Sequence, residues 1–254
     1  MKILELDGLT KQFGGLTAVN DVSFCVEEHQ ICALIGPNGA GKTTAFNLIS
    51  GVYVPTSGAV VFCGKHLNKM KPNKIVAEGI ARTFQNIRLF KRMTALENVM
   101  TGFTCRTEAD IFSIVFQPAK CKREKLETVQ KATEILEYIG IADIKNELAG
   151  SLPYGHQRLL EVARALATGP KLLMLDEPAA GMNKAEKQEL INLITRIRKD
   201  FGITIMLVEH DMDIIMAISD VIAVLNYGSL LAFGSVAEIQ KDKNVIDAYL
   251  GSGD

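Results

Sequence analysis

The stretch QICALIGPNGAGKTTAFNLISGV, residues 30–52, restricts the fold more than any other part of the chain. A short apolar run gives way to glycines at 36, 39 and 41, and a helix-forming run follows at once. That order reads as a buried strand, a loop and a helix, and GPNGAGKTT satisfies G-x-x-x-x-G-K-S/T. The glycines let the backbone curl until its N–H groups face a triphosphate, while the helix N-terminus adds a field that favours negative charge. The expected nucleotide contacts are Gly36, Pro37, Asn38, Gly39, Ala40, Gly41, Lys42, Thr43 and Thr44. Lys42 is expected to reach the β- and γ-phosphates, and the Thr43 hydroxyl to ligate Mg²⁺. An ordinary glycine turn explains the glycines but not the strand, the Lys and the Thr together.

A second strand-like run, LLMLDEP, ends in Asp176 and Glu177. A carboxylate at the end of such a strand can hold Mg²⁺, and the next residue points to the other side of the chain, toward an attacking water. Glu177 is therefore the candidate general base. Without the Lys42 loop the same residues would read as a helix N-cap. VEHD repeats the arrangement with His210 beyond an apolar strand, where ligands of α/β sheets sit. A lone His is more often a packed surface residue. Gln85, in ARTFQN, stands where the core pattern gives way to helical patterning and by itself says little.

Along the chain, ILELDGL and VSFCVEE alternate as strands, and SGAVVFCGKHL reads as a strand with a turn at Gly64. From about Asn86 to Gly155 the pattern is helical. In KREKLETVQKATEILEYIG, the residues Leu126, Val129, Thr133, Leu136 and Ile139 share one face, and Gly140 marks the stop. Strand runs return in KLLMLDE, GITIMLVEH and DVIAVLNYGSLLAFG, alternating with helical KAEKQELINLITRIRKD. A last helix is expected from Ser235, with Glu238 three residues on. The expected organisation is a single α/β domain over 1–254, with a nucleotide-binding core in 1–85 and 160–254 and a helical insert over 86–159.

Net charge is −1, from 28 Lys and Arg against 29 Asp and Glu, which leaves no electrostatic footprint for nucleic acid. The five cysteines lack CxxC or metal spacing and read as reduced thiols of a cytosolic protein. MKILELDGL lacks a signal-peptide core. Apolar runs such as ITIML and VIAVL fall far short of the roughly 20 residues that cross a bilayer. Any membrane role must come through partner chains.

In one order and over nearly the whole chain, Phe13, the Lys42 loop, Gln85, LPYGHQ, LLMLDE, AAGMN and His210 resemble the ATP-binding subunit of an ABC transporter. RTFQNIRLF, MTALENV, LPYGHQRLLEVARAL, DEPAAGMN and VIDAYLG are most similar to the branched-chain amino-acid importer ATPases. The resemblance implies a P-loop NTPase core, RecA-like with a mostly parallel sheet, beside an antiparallel β subdomain and an inserted helical subdomain. It implies ATP and Mg²⁺ as cofactors, with Phe13 stacking on adenine, Asp176, Thr43 and Gln85 at the metal, and His210 at the γ-phosphate. It also implies that a second ATP-binding subunit, a paralogue or a second copy, caps the γ-phosphate through Tyr154, Gly155 and His156. Transmembrane permease subunits on the cytoplasmic face of the membrane, and indirectly an extracytoplasmic solute-binding protein, complete the implied assembly.

Two residues depart from the family pattern. Pro153 stands where most members carry Ser, and His156 where many carry Gln. Proline is tolerated at a first helical position, so a phosphate-capping loop lacking one hydroxyl is expected, with Pro153 opening the helix. Other readings stay open at this point. A lipid or lipopolysaccharide exporter and a urea or amide importer use similar ATPases. A cassette acting on DNA or ribosomes would want a coiled-coil insertion or a second cassette, and a GTPase switch would want N-K-x-D. ADIFSIVFQP, residues 109–118, reads as packing within the insert or as a docking surface for a membrane subunit.

Overall fold

Alternation and full burial divide the strands into two sheets. The computed structural model describes residues 1–106 and 118–250, which fall into two units, 1–75 with 171–254, and 76–170. The insert expected over 86–159 falls within the second unit. In the first unit β1 (Lys2–Phe13) pairs antiparallel with β2 (Leu16–Glu27) and with β4 (Ser57–Phe62), and β4 pairs with β5 (Lys65–His66). Leu4, Leu6 and Leu9 are all buried, which strict alternation forbids. A register shift between Leu6 and Leu9 supplies the extra residue that moves the apolar face from even to odd positions.

The second sheet is built from β3 (Ile31–Ile35), β7 (Leu172–Asp176), β8 (Thr204–Val208), β9 (Val221–Asn226) and β10 (Ser229–Ser235). Within the first unit its order is β10-β9-β3-β8-β7, parallel except for the β9–β10 hairpin. Every residue of β3, β7 and β8 is buried. Strands covered on both faces carry apolar side chains at nearly every position, Thr204 and Asp176 at strand ends excepted, which is why these three read as runs. Each ends at the same edge of the sheet, and each is followed by a loop bearing candidate chemistry.

The helices are α1 (Lys42–Ile49), α2 (Pro72–Glu78), α3 (Ala95–Phe103), α4 (Pro118–Ile139), α5 (Tyr154–Ala167), α6 (Lys184–Phe201), α7 (Met212–Ile218), α8 (Val236–Ile239) and α9 (Lys243–Leu250). The second unit also holds β6 (Ile80–Arg82). Thr94 opens α3 with a reciprocal capping box to Glu97. Asn98, fully buried, closes the preceding loop by accepting from Phe90 N at 2.9 Å and donating to Phe90 O at 3.1 Å.

Two expectations change, and a third falls outside the described residues. Of the α4 stripe, Leu136 and Ile139 are buried, whereas Leu126 is 63% exposed, because the neighbouring packing does not reach that turn of the helix. The helix expected from Ser235 ends after one turn, and Asp242 accepts from Asn244 N at 2.8 Å to start a separate α9. Apart from its last residue, the segment 109–118 lies outside the described residues.

Candidate functional site

In the first unit the loop between β3 and α1 is shaped by what lies behind it. Gly36 has φ 151°, and a Cβ there would meet the Leu225 carbonyl oxygen at 2.2 Å. Gly41 has φ 98°, and a Cβ there would lie 2.5 Å from the Ala18 carbonyl oxygen. Neither position admits a side chain without moving backbone. Gly41 caps α1 without any side-chain hydrogen bond, so the first helical amides have no side-chain acceptor. Asn38, Gly39 and Thr43 are exposed on the open side, Pro37 and Thr44 half-buried, and Ala40 buried. Lys42 is buried and donates to Gly36 O at 2.6 Å and Pro37 O at 2.8 Å. Burial holds its ammonium below the usual lysine range, opposed by the charge of Glu177. A buried ammonium held by two loop carbonyls, with no carboxylate bonded to it among the described residues, suits a phosphate.

Asp176 is buried at the end of β7. Glu177 follows with φ 49°, a left-handed conformation that costs of order 1–3 kcal/mol in a residue with a side chain. Its N–H donates to Val208 O at 2.9 Å, which ties the turn to β8. Its Oε1 lies 3.0 Å from His210 Nε2. The loop from Glu177 onward ends at Asn183, which caps α6 by accepting from Ala185 N and Glu186 N while Glu186 accepts from Asn183 N. Asp211 pairs with Lys187 at 2.6 Å. Phe13, 41% exposed, meets Tyr53 edge to face with centroids 5.2 Å apart, and Lys11 Nζ lies 5.1 Å from its ring centre.

In the second unit Pro153 is the cap of α5 rather than its first residue, a correction to the expectation. With ψ at 150° it is extended, and its carbonyl accepts the first helical bond from Gln157 N at 3.0 Å. No side chain caps this end. Tyr154 and Pro153 are exposed and Gly155 and His156 half-buried. His156 Nδ1 is enclosed and finds no hydrogen-bond partner among the described residues. Gln85 is exposed, and its backbone is held from α5. Arg158 donates to Gln85 O at 2.5 Å, Phe84 O at 2.7 Å and the Tyr154 hydroxyl at 2.7 Å. Glu161, buried, accepts from Phe84 N and Arg88 N at 3.3 Å each, and burial raises its carboxyl above the usual range.

The sheet edge thus collects the Lys42 loop, Asp176, Glu177 and His210 in one unit, while in the other Arg158 joins the Gln85 backbone to the Tyr154 hydroxyl. Sequence reading missed Glu209, Tyr53, Arg158 and Glu161. Tyr53 alone had a local signal, an aromatic just after the glycine that ends α1.

The pattern of ABC transporters matches residues 19–180. The chain belongs to the ABC transporter family. The chain is 45% identical over 249 residues to the high-affinity branched-chain amino acid transport ATP-binding protein BraF of Pseudomonas aeruginosa, covering 98% of each. It is 38% identical over 254 residues to a probable branched-chain amino acid transport ATP-binding protein of Archaeoglobus fulgidus, covering 100% of this chain and 97% of that one. A solved nucleotide-free ATP-binding cassette of an ABC transporter superposes with a TM-score of 0.85 at 32% identity, covering 98% of this chain and 99% of that one. A cassette solved in its ADP conformation gives 0.84 at 33%, covering 99% of both. The P-loop α/β fold and the ABC ATPase assignment follow. This ABC subunit binds nucleotide, and a transporter ATPase works with membrane subunits. Among the described residues no helix is long and apolar enough to cross a membrane.

Proposed function

We propose that this ABC subunit hydrolyses ATP on the cytoplasmic face of the membrane to drive uptake of branched-chain amino acids. The observation that carries the solute class is the C-terminal segment 229–254, which matches the branched-chain amino acid ATP-binding cassette transporter pattern in addition to the full-length relatives.

Lys42 exchanges its Gly36 and Pro37 carbonyl acceptors for β- and γ-phosphate oxygens, and the open amides at the start of α1 take the remaining phosphate charge. Phe13 carries the adenine on its exposed ring. When bound, Mg²⁺ would neutralise phosphate charge, and the exposed Thr43 hydroxyl and the buried Asp176 carboxylate, which suit a hard cation, would hold it. Glu177 takes the proton of the attacking water, which forms the new bond to γ-phosphorus as the bond to the β-bridging oxygen breaks. His210 orients Glu177 through Oε1 and lies ready to contact the γ-phosphate. In a dimer with a paralogue or a second copy, the start of α5 would cap the γ-phosphate through Tyr154, Gly155 and His156. Permease subunits, and through them an extracytoplasmic binding protein, would select the solute.

The test is ATP-dependent uptake of labelled leucine, isoleucine and valine by vesicles carrying this subunit with the membrane proteins that co-purify with it. Saturable uptake lost in Glu177→Gln supports the proposal. Uptake of urea or short amides without any branched-chain amino acid overturns the solute class.

A further inference from the structure

A buried carboxylate just before His210 has no part in the chemistry described above. Glu209 is only 5% exposed. Its Oε1 accepts from Ala179 N at 2.7 Å, and its Oε2 accepts from His210 N at 3.1 Å. Burial pushes its carboxyl above the usual range, and the amides of Ala179, His210 and Asp211 oppose that rise. An apolar side chain would fill such a place at less cost, so the two acceptors have a use.

That use follows from where the two amides lie. Ala179 is two residues beyond Glu177, on the loop leaving β7, and His210 is on the loop leaving β8. One carboxylate therefore joins the two loops whose side chains meet at the 3.0 Å contact between Glu177 Oε1 and His210 Nε2. Glu177 also sits at φ 49°, a conformation that persists only where its surroundings fix it from more than one side. The bond from Glu177 N to Val208 O fixes one side, and the bond from Ala179 N to Glu209 fixes the other.

We infer that Glu209 is a positioning residue for hydrolysis, a clamp that holds the Glu177 turn and His210 in register, acting on the roles proposed above for those two residues. A carboxylate accepts at both ends. A Gln accepts at one end and presents an N–H₂ group at the other, so Glu209→Gln keeps size and burial while breaking one of the two bonds.

The experiment is a double-mutant cycle on the full chain, with kcat and KM for ATP, ATP affinity by calorimetry and the thermal melt measured for Glu209→Gln, His210→Ala and the pair. A displaced catalytic group costs roughly 10- to 100-fold in rate, so Glu209→Gln is expected to lower kcat by that factor with KM and ATP affinity nearly unchanged. In the His210→Ala background the same change is expected to cost clearly less than in the wild type, since the Glu177–His210 contact is already gone and only the hold on the Glu177 turn is left to lose. Wild-type kcat for Glu209→Gln overturns the inference, as does an equal loss in both backgrounds. Wild-type hydrolysis by both His210→Ala and Glu177→Gln instead overturns the reading of those residues. Should Glu209→Gln fail to fold, hydrogen exchange on the wild-type chain decides. The Ala179 and His210 amides are expected to exchange slowly and together, and exchange of Ala179 at the rate of an exposed loop overturns the clamp.

Discussion

Replacing Arg158 by Met tests how the Gln85 segment is held. The side chain is 4% exposed, and the substitution keeps its apolar stem while removing every donor. Contacts to four groups go: the bonds to Phe84 O and Gln85 O, the bonds to the Tyr154 hydroxyl, and the ion pair to Glu161 Oε2 at 3.7 Å. Breaking a buried pair by removing one partner costs about 3–5 kcal/mol, because the charge left behind stays buried. Arg164, 4.0 Å from Glu161 Oε1, and the amides of Phe84 and Arg88 keep the remaining carboxylate partly satisfied and pull the cost toward the lower end. Two carbonyls left without their donor push it back up, at about 1–3 kcal/mol each if water cannot reach them. A loss of about 4 kcal/mol is the expected sum, or roughly 8–16 °C at the 2–4 °C per kcal/mol usual for chains of this size. Calorimetry gives the size, and hydrogen exchange over 83–90 gives the place. Faster exchange in that segment is expected even below the melt, with ATPase activity falling as Gln85 loses its fixed backbone. A variant less than about 1 kcal/mol destabilised, with exchange unchanged over 83–90, would refute the claim that α5 holds this segment.

Gly36→Ala places a methyl 2.2 Å from the Leu225 carbonyl oxygen, so the loop must shift and ATP binding by calorimetry should be lost while the protein stays folded. Phe13→Ala should weaken ATP binding by about 1–3 kcal/mol, the range for base stacking on an aromatic ring, and equal affinity excludes Phe13 from the base site. Burial pushes the Cys32 thiol up to about 12, whereas Cys63 and Cys105 are exposed. Alkylation at pH 8 should therefore modify Cys63 and Cys105 in the native protein and reach Cys32 only on unfolding, as read by peptide mass.

The phosphate loop and the ends of β7 and β8 were legible in the sequence for one physical reason. Strands buried on both faces must be apolar nearly throughout, so the first polar residues after ICALI, LLML and IMLV stand out and fall at one sheet edge. The alternation of β1 was legible too, up to the irregularity that lets Leu6 and Leu9 face the same way. What stayed hidden depends on contacts between segments far apart in sequence. Glu161 reads as one more polar residue on a helix until its bond to Phe84, 77 residues away, is known. Glu209 sits 30 residues from the amide it accepts, and VEHD drew attention to His210 instead. Leu126 fits its helical stripe, but periodicity cannot say how far along a helix the neighbouring packing extends. Pro153 was misplaced by one residue because proline's fixed φ suits both a cap and a first turn, and only ψ separates them.

Whether Glu177 drives hydrolysis of ATP held at the Lys42 loop is decided by single-turnover hydrolysis of bound ATP in Glu177→Gln beside the wild-type chain. The amide is nearly the same size and cannot take the water's proton. ATP affinity is expected within a few-fold of wild type and hydrolysis slowed by roughly 10²–10⁴-fold, the usual worth of a general base. Bound ATP turned over at the wild-type rate would contradict that role for Glu177.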